Sequence, residues 1–179
     1  MIEAAESDSP LRLFFALGCP ADLAGRLCRW RDSLGIEGRP VPATNLHLTL
    51  AFLGAQPARR LTELTQLGER LDTQGFALQL ERFGMLGEDV ACLFAEQIPE
   101  ALLRLNRQLR EGLEELGITL DPRPFRPHLT LLRQAAPIDD SHAPAFAWDV
   151  RQFGLYLSQN SAEGVRYQPL ANWALTRAR

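Results

Sequence analysis

The tetrapeptide His-Leu-Thr-Leu occurs at residues 47–50 and again at 128–131, and it takes up two of the only three histidines in a chain of 179 residues. No other feature restricts the fold as strongly. A proline-rich approach precedes each copy, RPVPATN the first and DPRPFRP the second, and each lies downstream of a segment with helical spacing. In an extended strand, alternate side chains share a face. His47 and Thr49 then point one way while Leu46, Leu48 and Leu50 point the other, and His128 and Thr130 stand likewise against Leu129 and Leu131. Each copy is a leucine-anchored strand presenting an imidazole beside a hydroxyl. The matching placement predicts two duplicated lobes facing each other better than one sheet with an accidental echo.

The remaining chain supplies mixed elements. LRLFFALG at 11–18 reads as a strand, and spacing through Leu23, Leu27, Trp30 and Leu34 predicts a helix over 21–34. A second helix is predicted over 57–71 with Pro57 in its first turn, and strands over 76–83 and 90–95. A third helix over 99–116 carries Leu102, Leu105, Leu109, Leu113 and Leu116, with Gly117 as its cap. The first motif strand is expected to end near Leu53. AAPIDDSHAPA reads as an exposed loop, and strands are expected over 148–157 and 170–175, joined by SQNSAEGVRY. Residues 1–10 are expected to be a flexible tail before a single domain over 11–179. The fold class is α+β: two pseudo-symmetric lobes of mostly antiparallel sheet, with outer helices and a central cleft.

A net charge of −3 and a pI near 5.6 exclude a broad basic surface for gripping nucleic acid. All 19 basic residues are arginine, so any phosphate contact is made by guanidinium forks. Cys19, Cys28 and Cys92 form neither metal-ligand spacing nor an even disulfide set, and the polar start MIEAAESDSP is unlike a signal peptide. A reduced cytoplasmic location, no membrane contact and a monomer are expected.

Two histidines and two threonines select the chemistry. Metal binding fits poorly, because no Asp, Glu or Cys stands at ligand spacing, and no nucleophile elbow such as G-x-S-x-G is present. No cofactor is expected. Phosphodiester cleavage fits well, since it needs a base for water and an acid for the leaving oxygen on opposite sides of phosphorus. Imidazoles with ordinary pKa near 6.5 divide those roles at neutral pH. Threonine hydroxyls would donate to the non-bridging oxygens. Arg133, five residues after His128, supplies a cation for the phosphate, with Arg126 as the alternative. Strict alternation puts Arg133 on the wrong face, so a bulge, a strand end or a long reach is required. Phe14 shares a face with Arg12 and Ala16, where a base could stack on it or where it is simply buried. Tyr167 and Ser158 fall near the cleft, with packing the simpler reading. Trp30 and Trp173 read as core, and His142 as an exposed loop residue.

RLFFAL, GRPVPATNLHLTLAFLG, RPFRPHLTLLR and YQPLANWAL together resemble the 2H phosphoesterase superfamily. The similarity runs from Leu11 to about Thr176 and is closest to the bacterial RNA 2′,3′-cyclic phosphodiesterases, also described as 2′-5′ RNA ligases. The resemblance implies a bilobal fold with the active site in the cleft, and metal-independent opening of a 2′,3′-cyclic phosphate to a 2′-phosphate. It implies His47 as proton donor, His128 as proton acceptor, and Thr49, Thr130 and Arg133 as substrate-binding residues. The implied partners are RNA 3′ ends or nucleoside 2′,3′-cyclic phosphates. Ligation of a cyclic end to a 5′-hydroxyl uses the same groups and stays open, as does a non-catalytic RNA-end binding module.

Overall fold

The computed structural model describes residues 9–177, so the expected tail lies outside the described residues except for Ser9 and Pro10. The order is β1 (Leu11–Gly18), α1 (Ala21–Ser33), β2 (Arg39–Pro40), β3 (His47–Gln56), α2 (Leu61–Arg70), β4 (Phe76–Leu86), β5 (Val90–Phe94), α3 (Glu100–Glu115), β6 (His128–Arg133), β7 (Ser141–Val150), β8 (Gln152–Ser161) and β9 (Gly164–Ala174). The strands form one sheet in the order β7-β4-β5-β6-β3-β1-β8-β9, with β2 paired to β6, and every named strand pair is antiparallel.

The duplication is visible in this order. β9-β8-β1-β3 forms one half and β7-β4-β5-β6 the other, and the halves meet edge to edge where Leu48 of β3 pairs with Leu129 of β6. Both leucines are fully buried. Anchors of that kind are worth about 1.5–3 kcal/mol each in apolar burial. Equivalent residues of the two copies are thus paired with each other. An antiparallel pair has a local twofold axis perpendicular to the sheet, and here that axis passes through the repeated motif.

The helices cross between halves. α1, which links β1 to β3, lies against the other half, with Trp30 edge-on to Phe83 of β4 and Phe146 of β7. α3, which links β5 to β6, packs on β3, and α2 packs on β8, β9 and α3. Gly68 of α2 admits the Trp173 indole, and Gly112 of α3 admits Leu67, where a Cβ would collide.

Four expectations are corrected. The segment 135–145 is not all loop, because residues from Ser141 onward form β7, the strand at one edge of the sheet. No single strand covers 148–157: the chain breaks at Arg151, between β7 and β8. SQNSAEGVRY is a hairpin in which β8 runs to Ser161 and β9 starts at Gly164, so the closing strand is longer than 170–175. Edge strands show half their residues to water, which makes their composition resemble loops. β3 also runs past the expected end at Leu53, because an unpaired Leu53 and a positive φ of 68° at Gly54 bend the strand without ending it.

Candidate active site

β3 and β6 carry the same burial sequence over the motif: half-buried His, buried Leu, half-buried Thr, two buried residues, then an exposed one. Two consecutive buried residues break simple alternation, and register shifts explain them. Phe15 pairs with Ala51 and Ala16 with Thr49, which leaves Leu50 as an extra residue in β3. Ala91 pairs with Leu132 and Cys92 with Thr130, which leaves Leu131 as the extra residue in β6. Each bulge falls three residues after its histidine. It re-phases the strand, so that Arg133 and its counterpart Phe52 return to the histidine face. Of the bulge, strand end or long reach that Arg133 needed, the structure has the bulge, and Arg133 is also the last residue of β6.

The orphaned carbonyl of each bulge has a partner. Buried Asn106 of α3 donates its Nδ2 to the Leu50 oxygen at 2.8 Å. The Val41 amide donates to the Leu131 oxygen at 3.0 Å, and the buried Arg31 of α1 holds the Val41 carbonyl through Nη1 at 2.6 Å. A buried carbonyl without a donor costs about 1–3 kcal/mol. These helical side chains therefore secure the bulges.

Both imidazoles are held alike. The Nδ1 of His47 lies 2.7 Å from the Asn45 carbonyl, and the Nδ1 of His128 lies 2.8 Å from the Arg126 carbonyl. A carbonyl only accepts, so Nδ1 carries hydrogen in each ring, and in the neutral ring Nε2 is the basic atom. The Thr49 hydroxyl donates to Nε2 of His47 at 3.1 Å. Thr130 is placed differently, with its Oγ1 3.6 Å from the Sγ of the buried Cys92. Burial lowers the pKa of both histidines from the ordinary value. Arg133 and His128 add to this at His47, Arg126 and Arg133 add to it at His128, and the carbonyl bonds oppose it. Burial also pushes the Cys92 thiol up to about 11, so it stays protonated at neutral pH.

Aromatic rings buttress His47. Phe14 lies 5.1 Å away, Tyr167 stands edge-on at 4.9 Å, and Tyr156 stacks on Phe14 at 5.5 Å. Phe14 is only 3% exposed, because these rings cover it. It therefore supports His47 and offers no open face for a base. Tyr167 had been placed near the cleft from the sequence, but Tyr156 had not, because only the pairing of β8 with β1 brings it against Phe14. Beside His128 stands Phe94 at 6.3 Å, with the Arg126 guanidinium 4.4 Å above its ring. Trp30 and Trp173 pack against the core as expected. His142 is exposed but sits on β7, with Nδ1 3.6 Å from Glu96.

A cavity of about 330 Å³ opens beside the motif between Arg39, Asn45, Arg133, Val165 and Tyr167. A larger one of about 740 Å³ lies at Gly75, Asp149, Arg151 and Thr176, and neither histidine is in the lining of either cavity. Among the described residues no three His, Cys, Asp or Glu side chains gather as a metal-binding group, and no helix is long and apolar enough to cross a membrane.

Comparison with known proteins gives the family and the fold. A family model described as the 2′-5′ RNA ligase superfamily matches residues 19–160. The RNA 2′,3′-cyclic phosphodiesterase of Escherichia coli (strain K12) is 40% identical over 173 residues, covering 94% of this chain and 98% of the relative. The protein of the same name from Thermus thermophilus is 33% identical over 179 residues, covering 92% and 90%. The crystal structure of E. coli LigT complexed with 3′-AMP superposes with a TM-score of 0.86 at 39% identity, over 94% of this chain and 99% of that one.

Proposed function

The chain belongs to the 2′-5′ RNA ligase superfamily, and on that premise we propose that it hydrolyses RNA 2′,3′-cyclic phosphate ends to 2′-phosphomonoesters by two-histidine acid-base catalysis, without a metal. One observation carries the reading. The antiparallel pairing of Leu48 with Leu129 relates the two motif strands by a local twofold, each imidazole bonds the carbonyl two residues earlier, and the Arg133 charge lowers the pKa of both. That is the symmetry of an in-line displacement.

Water attacks phosphorus from the His128 side, and Nε2 of His128 takes its proton. The bond from phosphorus to the 3′ oxygen breaks as Nε2–H of His47 protonates the departing oxygen, and the phosphate stays on the 2′ oxygen. The hydroxyls of Thr49 and Thr130 and the Arg133 guanidinium take up the charge that grows on the non-bridging oxygens. His47 is neutral in the free protein at pH 7, because its pKa is lowered. The bound phosphodiester anion opposes that shift and favours the protonated ring that an acid needs. Both histidines come from one chain, so a single chain carries the complete pair. Ligation would use the same atoms with a 5′-hydroxyl in place of water.

The test is turnover of a nucleoside 2′,3′-cyclic phosphate in excess chelator. Wild type is expected to give the 2′-phosphate, while His47→Ala and His128→Ala each lose about 10²–10⁴-fold in kcat. An inactive wild type, or variants that keep its rate, would overturn the reading.

A further inference from the structure

Two arginines confront each other at the end of the second motif strand. β2 is two residues long, and it sets Arg39 directly opposite Arg133 in antiparallel register. Like charges directly opposite each other on neighbouring strands destabilise a sheet. Among the described residues neither guanidinium has a carboxylate within ion-pair distance. Glu163 lines the same cavity but pairs with neither. Two opposed cations, neither of them ion-paired and outnumbering the one carboxylate of the cavity they line, describe a seat for anions.

The position of the cavity says which anions. It is continuous with the catalytic residues through Arg133, through Asn45, whose carbonyl holds the His47 ring, and through Tyr167, which stands against that ring. The Nδ2 of Asn45 donates to the Val165 carbonyl at 2.8 Å and fastens the β8–β9 hairpin over one side. Its volume, about 330 Å³, is at the low end for small-molecule sites and suits a single nucleotide unit. The base of β2 is rigid as well: Pro40 pairs with Leu132, and Arg31 and Leu131 hold Val41 from both sides of its peptide. Arg39 is thus presented by fixed backbone, which lowers the ordering cost of a contact.

We propose that Arg39 holds a second phosphate, the phosphodiester joining the terminal nucleoside to the rest of an RNA chain, while Arg133 serves the reacting cyclic phosphate. The inference rests on the reaction proposed above. A guanidinium fork matches a phosphodiester and keeps its charge at every working pH. With a net charge of −3 the protein has little general attraction for RNA, so a single placed cation distinguishes an RNA end from a free nucleotide.

Three substrates test this: a nucleoside 2′,3′-cyclic phosphate, a dinucleotide ending in the same group, and that dinucleotide with a neutral methylphosphonate linkage. Wild type is expected to favour the charged over the neutral dinucleotide by about tenfold in kcat/KM, as one charge-assisted contact warrants. In Arg39→Ala that ratio falls towards one, and Arg39→Lys keeps part of it. A wild type indifferent to the linkage charge overturns the inference without any variant, as does an Arg39→Ala protein with the full ratio. The ratio is taken within each protein, so a partly misfolded variant does not distort it. Failure of wild type on all three substrates would instead overturn the reaction, and this inference with it.

Discussion

His47 and His128 are mounted by the same bond to the carbonyl two residues earlier, yet their surroundings differ. Burial lowers both pKa values, which ties stability to pH with a definite sign. In the unfolded chain both imidazoles titrate near the ordinary value of about 6.5. Below that pH the unfolded state binds protons that the native state refuses, so stability drops as pH falls and levels off below the native pKa values. We expect the thermal midpoint to decline on acidification from pH 7.5, and a His47→Gln, His128→Gln double variant to decline less. Equal declines would show that other groups carry the acid sensitivity. Phosphate should restore the wild-type midpoint at low pH by favouring the charged rings. The common face of His47 with Thr49 and of His128 with Thr130 was legible from the sequence, because alternation and repetition are local signals, whereas strict alternation put Arg133 on the opposite face. Cys92 against Thr130, and Tyr156 beneath the Phe14 ring, were not legible, since each depends on a partner strand distant in the chain.

Among the elements, the two bulges have the most consequence, and the sequence offered one of them only as an option among three. Nothing in HLTLAF or HLTLLR marks an extra residue. The mark is remote: a buried amide on α3 and a buried guanidinium on α1, each matched to a carbonyl. Asn106→Leu keeps the side-chain volume but strips the donor from the Leu50 carbonyl. The expected result is a loss of about 1–3 kcal/mol in denaturant unfolding, with reduced kcat although both histidines remain. Unchanged stability would mean that the bulge holds without Asn106. The misread edges follow the same logic. β7 and β9 close the sheet on either side, and Pro144 and Pro169 fall within them, where proline costs least in a ladder. Polar, proline-bearing strands resemble loops until their partners are known.

At the scale of the molecule, each half is covered by helix from outside its own run of strands: α1 leaves the first half for β4 and β7, and α3 leaves the second for β3. Neither half can bury its core alone, so unfolding should be a single cooperative event. Trp30 reports on the second half and Trp173 on the first. A Trp173→Phe variant, and a Trp30→Phe, Trp148→Phe variant, should each show fluorescence and far-ultraviolet dichroism changing at one urea midpoint. Separated midpoints would show independent halves. The α+β class and the duplication were readable from the order of elements, whereas the exchange of helices was not, because helical spacing reveals an apolar face but not its destination. The twofold at Leu48 and Leu129 has a last chemical consequence. A seat with matching sides does not itself tell one bridging oxygen of a cyclic ester from the other. Under the proposed chemistry, regioselectivity belongs to the unequal flanks, Tyr167 and Phe14 beside His47 and the Phe94–Arg126 pair beside His128, and the acid and base acquire their separate duties from the way the nucleoside lies.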